Sequence, residues 1–210
     1  MMSLTEAQVV RYSRQILLAQ VGGKGQERLL ASGAELVGHG AAQSTAAAYL
    51  AASGIAIRGR EATECGNDRV RLSETGFLFS TRDAERPFGV ALDSAVADLN
   101  ADALIGTAVG SLGEVPSDFS GPAPWVALGW RENHGEVVYR SKAGCAACFA
   151  ANLEGLSKVP IGALSVLVGT LGALVFQRLC LDASDELGAL WIDASGEVQN
   201  ARLTCCDRCA

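Results

Sequence analysis

The sequence predicts an α/β protein of Rossmann-like, doubly wound type, a mainly parallel sheet to which a four-cysteine zinc knuckle is added. Three observations predict it. The apolar run AELVGHG (34–40) ends in glycines and passes into the Ala-rich AAQSTAAAYLAASG (41–54), giving strand, tight turn and helix in that order. Aromatics are only 6% against 24 Gly, so core volume must come from Ala, Val, Leu and Ile in closely packed elements. Two C-x-x-C pairs, Cys145/Cys148 and Cys206/Cys209, supply the donor set of a closed metal site.

The elements follow in order along one domain, 1–210, divided into N-terminal helices (1–33), a sheet-and-helix core (34–140) and a knuckle, buried helix and closing hairpin (141–210). Residues 5–20 read as one amphipathic helix: Thr5 and Gln8 make a capping box, and Val9, Tyr12, Ile16 and Leu17 recur at helical spacing. Arg11, Arg14 and Gln15 fall on its polar side. Gly22, Gly23 and Gly25 break it before a short helix at 25–32. After the β-α opening, GIAIRGREA suggests a second strand, and DSAVADLNADALIG a helix followed by a strand. The Gly, Pro and Ser content of 111–124 predicts a loop. PWVALGWRENHGEVVYRS predicts two strands joined at Asn133, His134 and Gly135. Residues 159–177 carry no charge and predict a helix buried all round, in a core or a dimer interface, in preference to a membrane span. ALWIDASGEVQNARLTCCDRC closes the chain as a hairpin.

Composition excludes several function classes. With 210 residues, 49% hydrophobic and 19% charged, the chain folds around a sizeable core and is not disordered. Seventeen basic against twenty-three acidic residues leave a net charge of −6 and no Lys/Arg block, which disfavours nucleic acid and suits a neutral or cationic partner. The charged N-terminus lacks the apolar stretch of a signal peptide, so a cytoplasmic location is expected. Seven cysteines in a reducing compartment point to metal ligands or buried thiols and not to disulfides.

The motifs point to two places. In GHGAAQS (38–44), Gly38 and Gly40 fit the first two positions of G-x-G-x-x-G. Gln43 holds the third, where a side chain crowds either helix packing or the approach of a phosphate. This is a vestigial phosphate turn. CAAC (145–148) and CDRC (206–209) are separated by 57 residues, so the fold must bring them together around structural zinc. Two redox dithiols or unbound thiols are the alternative, and the adjacent Cys205 leaves the register of the second pair open. His39 and His134 lack ligand spacing and read as ordinary turn or surface residues.

Three blocks carry a resemblance to the ThiF/MoeB/HesA adenylyltransferase family, relatives of ubiquitin-activating enzymes. RYSRQILLAQVGGKGQERLLAS (11–32) is similar to the family's R-Y-x-R-Q-I-x-L and G-x-x-G-Q-x-x-L signature. AELVGHGAAQSTAAAYLAASGI resembles its strand, glycine turn and helix, and the double C-x-x-C resembles its zinc site. The resemblance implies a dimer with structural zinc that adenylates the C-terminal Gly-Gly of a ubiquitin-like sulfur carrier with ATP and Mg²⁺. It also implies that the arginine at position 14 reaches across the dimer to the partner's ATP.

The departures from that family fall on the chemistry. G-x-G-G-L-G has become GHGAAQ, no D-x-D follows the second strand in AIRGREATECGND, and N-L-x-R-Q is missing. The Mg²⁺-associated D-x-T-D-N matches only residues 101–111, with no Asp after the strand, and the catalytic cysteine position falls at about Lys158. ATP and Mg²⁺ are therefore not expected as cofactors, and no residue is expected to catalyse in cis. The expected function is a catalytically degenerate half of a homodimer or of a heterodimer with an active paralogue, with Arg14 acting in trans and a ubiquitin-like carrier as a further partner. The alternatives are an active adenylyltransferase built from substituted residues, and a zinc-stabilised homodimeric scaffold unrelated to carrier activation.

Overall fold

The computed structural model describes residues 4–59, 69–72, 78–104, 110–114, 124–141, 145–157, 159–160, 162–181, 187–201 and 203. Its elements are α1 (Glu6–Arg11), α2 (Ser13–Ile16), α3 (Gly22–Ala31), β1 (Gly33–Val37), α4 (Ala41–Ala52), β2 (Ala56–Gly59), α5 (Phe88–Leu99), β3 (Gly110–Gly113), β4 (Trp125–Arg131), β5 (His134–Arg140), α6 (Ala146–Leu153), α7 (Ala163–Leu181), β6 (Leu187–Ile192) and β7 (Val198–Asn200). Seven strands form one sheet in the order β2-β1-β3-β4-β5-β6-β7. The first four are mutually parallel, and β5, β6 and β7 continue the sheet antiparallel. The chain moves from β1 out to β2 and then returns to β3 on the other side of β1. The carboxyl ends of β1 and β3 thus flank a topological switch point.

The sheet is covered on both faces, which is why β4 reads as an almost unbroken apolar run. Val126 and Leu128 of β4 join Ala34, Leu36, Ile57 and Leu112 in a large core under α4, α5 and α7. Trp125 and Ala127, pointing the other way, join Val37, Val138, Phe149 and Leu153 under α6. Helix α7 lies against α3, α4, β4 and β5. It is long and apolar enough to cross a membrane, yet Val168, Ala173, Phe176 and Leu179 are spent on the core. It is not buried all round: Leu174 is 60% exposed, and Leu167, two turns earlier on the same face, is exposed as well.

Other expectations need correcting. Strand β3 (Gly110–Gly113) runs into the segment that composition predicts to be a loop (111–124), and residues 101–104, expected to enter a strand, form a 3₁₀ turn. The glycines that suggest a loop are required by packing. A methyl group on Gly110 would lie 2.7 Å from the Pro124 carbonyl oxygen and 2.9 Å from the Phe176 ring, and one on Gly113 would lie 2.0 Å from the Val37 oxygen. α3 begins at Gly22, so Gly22 and Gly23 sit inside it and do not precede it. The β4–β5 turn consists of Glu132 and Asn133, since Arg131 already pairs with His134.

The predicted helix over 5–20 is two short helices divided at Tyr12. The capping box of Thr5 and Gln8 is present. At the break Tyr12 turns inward and is 1% exposed. Its hydroxyl donates to Asp102 Oδ2 at 2.8 Å and accepts from Asn100 Nδ2 at 2.8 Å, while that same amide donates to the Ala51 carbonyl at 2.7 Å. One aromatic thus ties the N-terminal helices to the end of α4 and the segment after α5. Packing does not account for all the neighbours that share its helical spacing: Ile16 is half-buried, but Val9 is exposed and Leu17 is 84% exposed.

Burial, and to a smaller degree the Asp102 carboxylate, pushes the Tyr12 phenol up to about 12, against the opposing hydrogen bond from Asn100. Folding therefore favours the neutral phenol. This contribution is complete below pH 10, where the unfolded tyrosine begins to ionise, and is lost as pH rises to about 12. Tyr12→Phe should cost about 1–2 kcal/mol in urea unfolding at neutral pH, because Asn100 and Asp102 lose a buried partner. The variant should also show a shallower loss of stability between pH 10 and 12 than the wild type.

Candidate functional site

The site is built at the switch point. β1 delivers Gly38 with φ 74° and Gly40 with φ 153° ahead of α4, a backbone that L side chains rarely adopt. Gly40 caps α4 without any side-chain hydrogen bond. The turn expected from Gly38 and Gly40 is therefore present. His39, between them, is buried with its ring 5.7 Å from that of Phe88, so it packs into the core beneath the turn and is not a surface residue.

Two side chains cover the turn. Gln43 is 2% exposed, and its Oε1 lies 2.9 Å from where a Cβ on Gly40 would stand. Its Nε2 donates to Glu114 Oε1 at 3.2 Å. Glu114 directly follows β3, its peptide N–H bonded to the Val37 carbonyl at 3.0 Å, and its Cδ and Oε2 lie 2.9 and 3.0 Å from a Cβ position on Gly38. An acid does follow the strand. The sequence argument misses it because it ends the strand within DSAVADLNADALIG (93–106), before the glycine-containing segment that pairs with β1. The lining of this turn does not fit ATP phosphates as the family signature would hold them: the third glycine is replaced by a buried amide that binds a carboxylate. The D-x-D position falls in 60–68, and Lys158, the expected cysteine position, likewise lies outside the described residues.

Arg14 projects from α2 and is exposed. Among the described residues it has no hydrogen bond or ion pair. Val10 and Leu18, four residues to either side, and Leu17 are exposed apolar neighbours.

The CAAC pair sits at the start of α6. Cys145 is the N-cap and half-buried; Cys148, one turn on, is 1% exposed. Cys206, Cys209 and the ambiguous Cys205 lie outside the described residues, and no group of three metal-ligating side chains occurs among those described. Ala201 and Leu203 pack on the same cluster as Phe149 and Leu153 of α6, so the chain after β7 runs back towards the CAAC helix.

An arginine clamp that sequence reasoning does not single out holds α6 in place. Arg131 donates from Nε to Glu136 Oε2 at 2.6 Å, and through its two terminal nitrogens to the Glu154 and Asn152 carbonyls at 2.6 and 2.8 Å. It closes the carboxyl end of the helix while neutralising a buried carboxylate. His134 lies beside this clamp, Nε2 4.0 Å from Glu136 Oε2 and its ring 5.3 Å from that of Trp191, at a polar cavity of about 300 Å³.

Fold and turn together define a Rossmann-like α/β domain with its glycine turn at the switch point between the ends of β1 and β3. The chain belongs to the ThiF family, whose sequence profile matches residues 12–129. It is 34% identical over 101 residues to the sulfur carrier protein ThiS adenylyltransferase of Escherichia coli (strain K12), a match that spans 47% of this chain and 39% of that relative. The chain thus corresponds to about two-fifths of that relative's length. The same fold recurs in E. coli MccB with SeMet MccA (TM-score 0.69, 15% identity, 95% of this chain and 73% of that one). It recurs again in MccB with ATP (TM-score 0.66, 16% identity, 92% and 71%) and in PaaA (TM-score 0.66, 17% identity, 94% and 84%).

Arg131→Ala strands Glu136 and frees the end of α6, and should cost about 3 kcal/mol in denaturant unfolding. Adding Glu136→Gln should recover a substantial part of that loss. A double variant as unstable as the single one would mean that the helix-capping bonds, and not the ion pair, carry the clamp.

Proposed function

We propose that this chain is a catalytically degenerate ThiF-family protein that serves as the non-catalytic half of a dimer in a carrier-activation system. Arg14 is the observation that carries the reading. It stands in the most family-like stretch of the sequence, exposed, without a partner among the described residues, and flanked by exposed Val10, Leu17 and Leu18. Apolar side chains left in water at this density mark a surface that another chain covers. On this reading the partner supplies nucleotide, metal and nucleophile. Arg14 reaches into the partner's site and offsets charge that develops on the transferring phosphates. Leu167 and Leu174 on α7 give a second apolar face of the same kind. The ThiS adenylyltransferase has a sulfur carrier protein as its substrate by name, and MccB is found in complex with MccA, which supports a carrier protein as the molecule that the dimer handles.

A second reading, an active adenylyltransferase with substituted residues, is favoured by one observation: Glu114 follows β3 at the position where the family resemblance expects a metal-associated aspartate. The exchange of Gly for Gln43 and the amide bond from Gln43 to that carboxylate weigh against it.

The proposal includes a structural zinc held by Cys145, Cys148, Cys206 and Cys209, in a cytoplasmic setting that keeps thiols reduced. Two thiols one helical turn apart, with the C-terminal segment returning to the same cluster, suit it. Zinc would supply folding energy and no chemistry.

Purified alone, the chain should release no pyrophosphate from ATP with any Gly-Gly carrier. With an active paralogue present, Arg14→Ala should lower that partner's adenylation rate by roughly tenfold or more and leave complex formation intact. Pyrophosphate release by the isolated chain would establish the second reading, and failure to recover any heterodimer would leave the homodimeric scaffold.

Elemental analysis should give one zinc per chain. Cys148→Ser should abolish binding and destabilise the fold, and Cys205→Ser should do neither. Equal effects of the two would move the ligand register to Cys205.

A further inference from the structure

We infer that Glu114 and Gln43 are built-in occupants of the phosphate position, so that the glycine turn rejects nucleotide phosphates by charge as well as by shape. The inference rests on the reading of this chain as a non-adenylating family member and gives that reading a physical cause.

The backbone for an anion is still there. Gly38 and Gly40 keep their left-handed conformations ahead of α4, a helix of twelve residues whose first amides point out of the turn. In such a turn the second glycine exists so that a phosphate can approach the main chain without meeting a side chain. Here both freed spaces are filled from within. Glu114 lies along the Cβ direction of Gly38 and Gln43 along that of Gly40. The bond from Gln43 Nε2 to Glu114 Oε1 locks the two together.

Neither side chain is a loose surface group that an incoming ligand could push aside. Gln43 is buried, so displacing its amide means finding another partner for it or losing one. Glu114 follows the last residue of β3, its main chain is held to β1 through its own peptide N–H, and its half-buried carboxylate is held by Gln43. Packing alone would be met by an aliphatic side chain. A carboxylate adds a negative charge where the turn and the start of α4 would otherwise attract one, and so meets an arriving phosphate as like meets like.

Isothermal titration of the full-length chain with ADP, and separately with inorganic pyrophosphate, both without magnesium, tests this. The wild type should show no saturable binding. Glu114→Gln, which keeps shape and removes charge, should raise affinity for both probes by roughly tenfold or more, and Glu114→Ala with Gln43→Gly should raise it further. Should the double variant fail to fold, the Glu114→Gln comparison alone decides. Two results overturn the inference: affinities in the variants no higher than in the wild type, or MgATP binding by the wild type that Glu114→Gln weakens, which would make Glu114 a metal-associated acid. The two levels fail separately. Unchanged variants beside an inactive wild type sink only this inference, whereas pyrophosphate release by the wild type sinks the proposed function.

Discussion

The closeness of α7 to α4 is the constraint on which the rest of the structure depends. A methyl group on Gly169 would stand 2.2 Å from the Ala42 carbonyl oxygen and 2.9 Å from Thr45 Cβ, so only glycine lets the two helices meet there. Three residues on, Gly172 admits the Leu128 side chain from β4 in the same way, and Gly135 in β5 admits Val168 from α7. This contact sets where the first turn of α4 lies, and therefore where Gln43 and the glycine turn sit relative to β3. An Ala-rich α4 that is buried on nearly every side is the counterpart of that arrangement, because larger side chains would hold the helices apart.

The two halves of the sheet use different means. In the parallel half, close helix packing and small residues bring the carboxyl ends of β1 and β3 together. In the antiparallel half the Arg131 guanidinium ties α6 to the β4–β5 hairpin, with Arg140 over the Phe149 ring and Trp125 and Phe149 filling the space beneath. A polar hub of this kind tolerates less change than an apolar one, since its buried carboxylate has to stay paired. The N-terminal helices hang on a third device, the hydroxyl of Tyr12 between Asn100 and Asp102.

Legibility from sequence followed the physics of each segment. The β1–turn–α4 unit, the long apolar helix and the hairpin of β4 and β5 were readable because their patterns are local: an apolar run, a glycine turn, a charge-free stretch. β3 was not, since Gly110 and Gly113 carry a loop-like composition and become strand only through pairing with β1 and β4. The same error hid Glu114, for an acid after an unrecognised strand has no position to be read against. The break at Tyr12 was hidden for the opposite reason: helical spacing continues across it, and only long-range bonds to Asn100 and Asp102 show why the chain turns there. The CAAC pair was visible as a motif, while Arg131, which positions the helix bearing it, belongs to no motif at all.

The edges of the sheet carry a consequence of their own. β2, on one side, has four residues and β7, on the other, has three. Strands so short offer few main-chain groups for a foreign strand to zip onto, which protects a seven-stranded sheet from templating runaway aggregation. The same brevity limits how this protein can be recognised. Strand addition along these described edges is a poor mode of association, which leaves recognition to side chains.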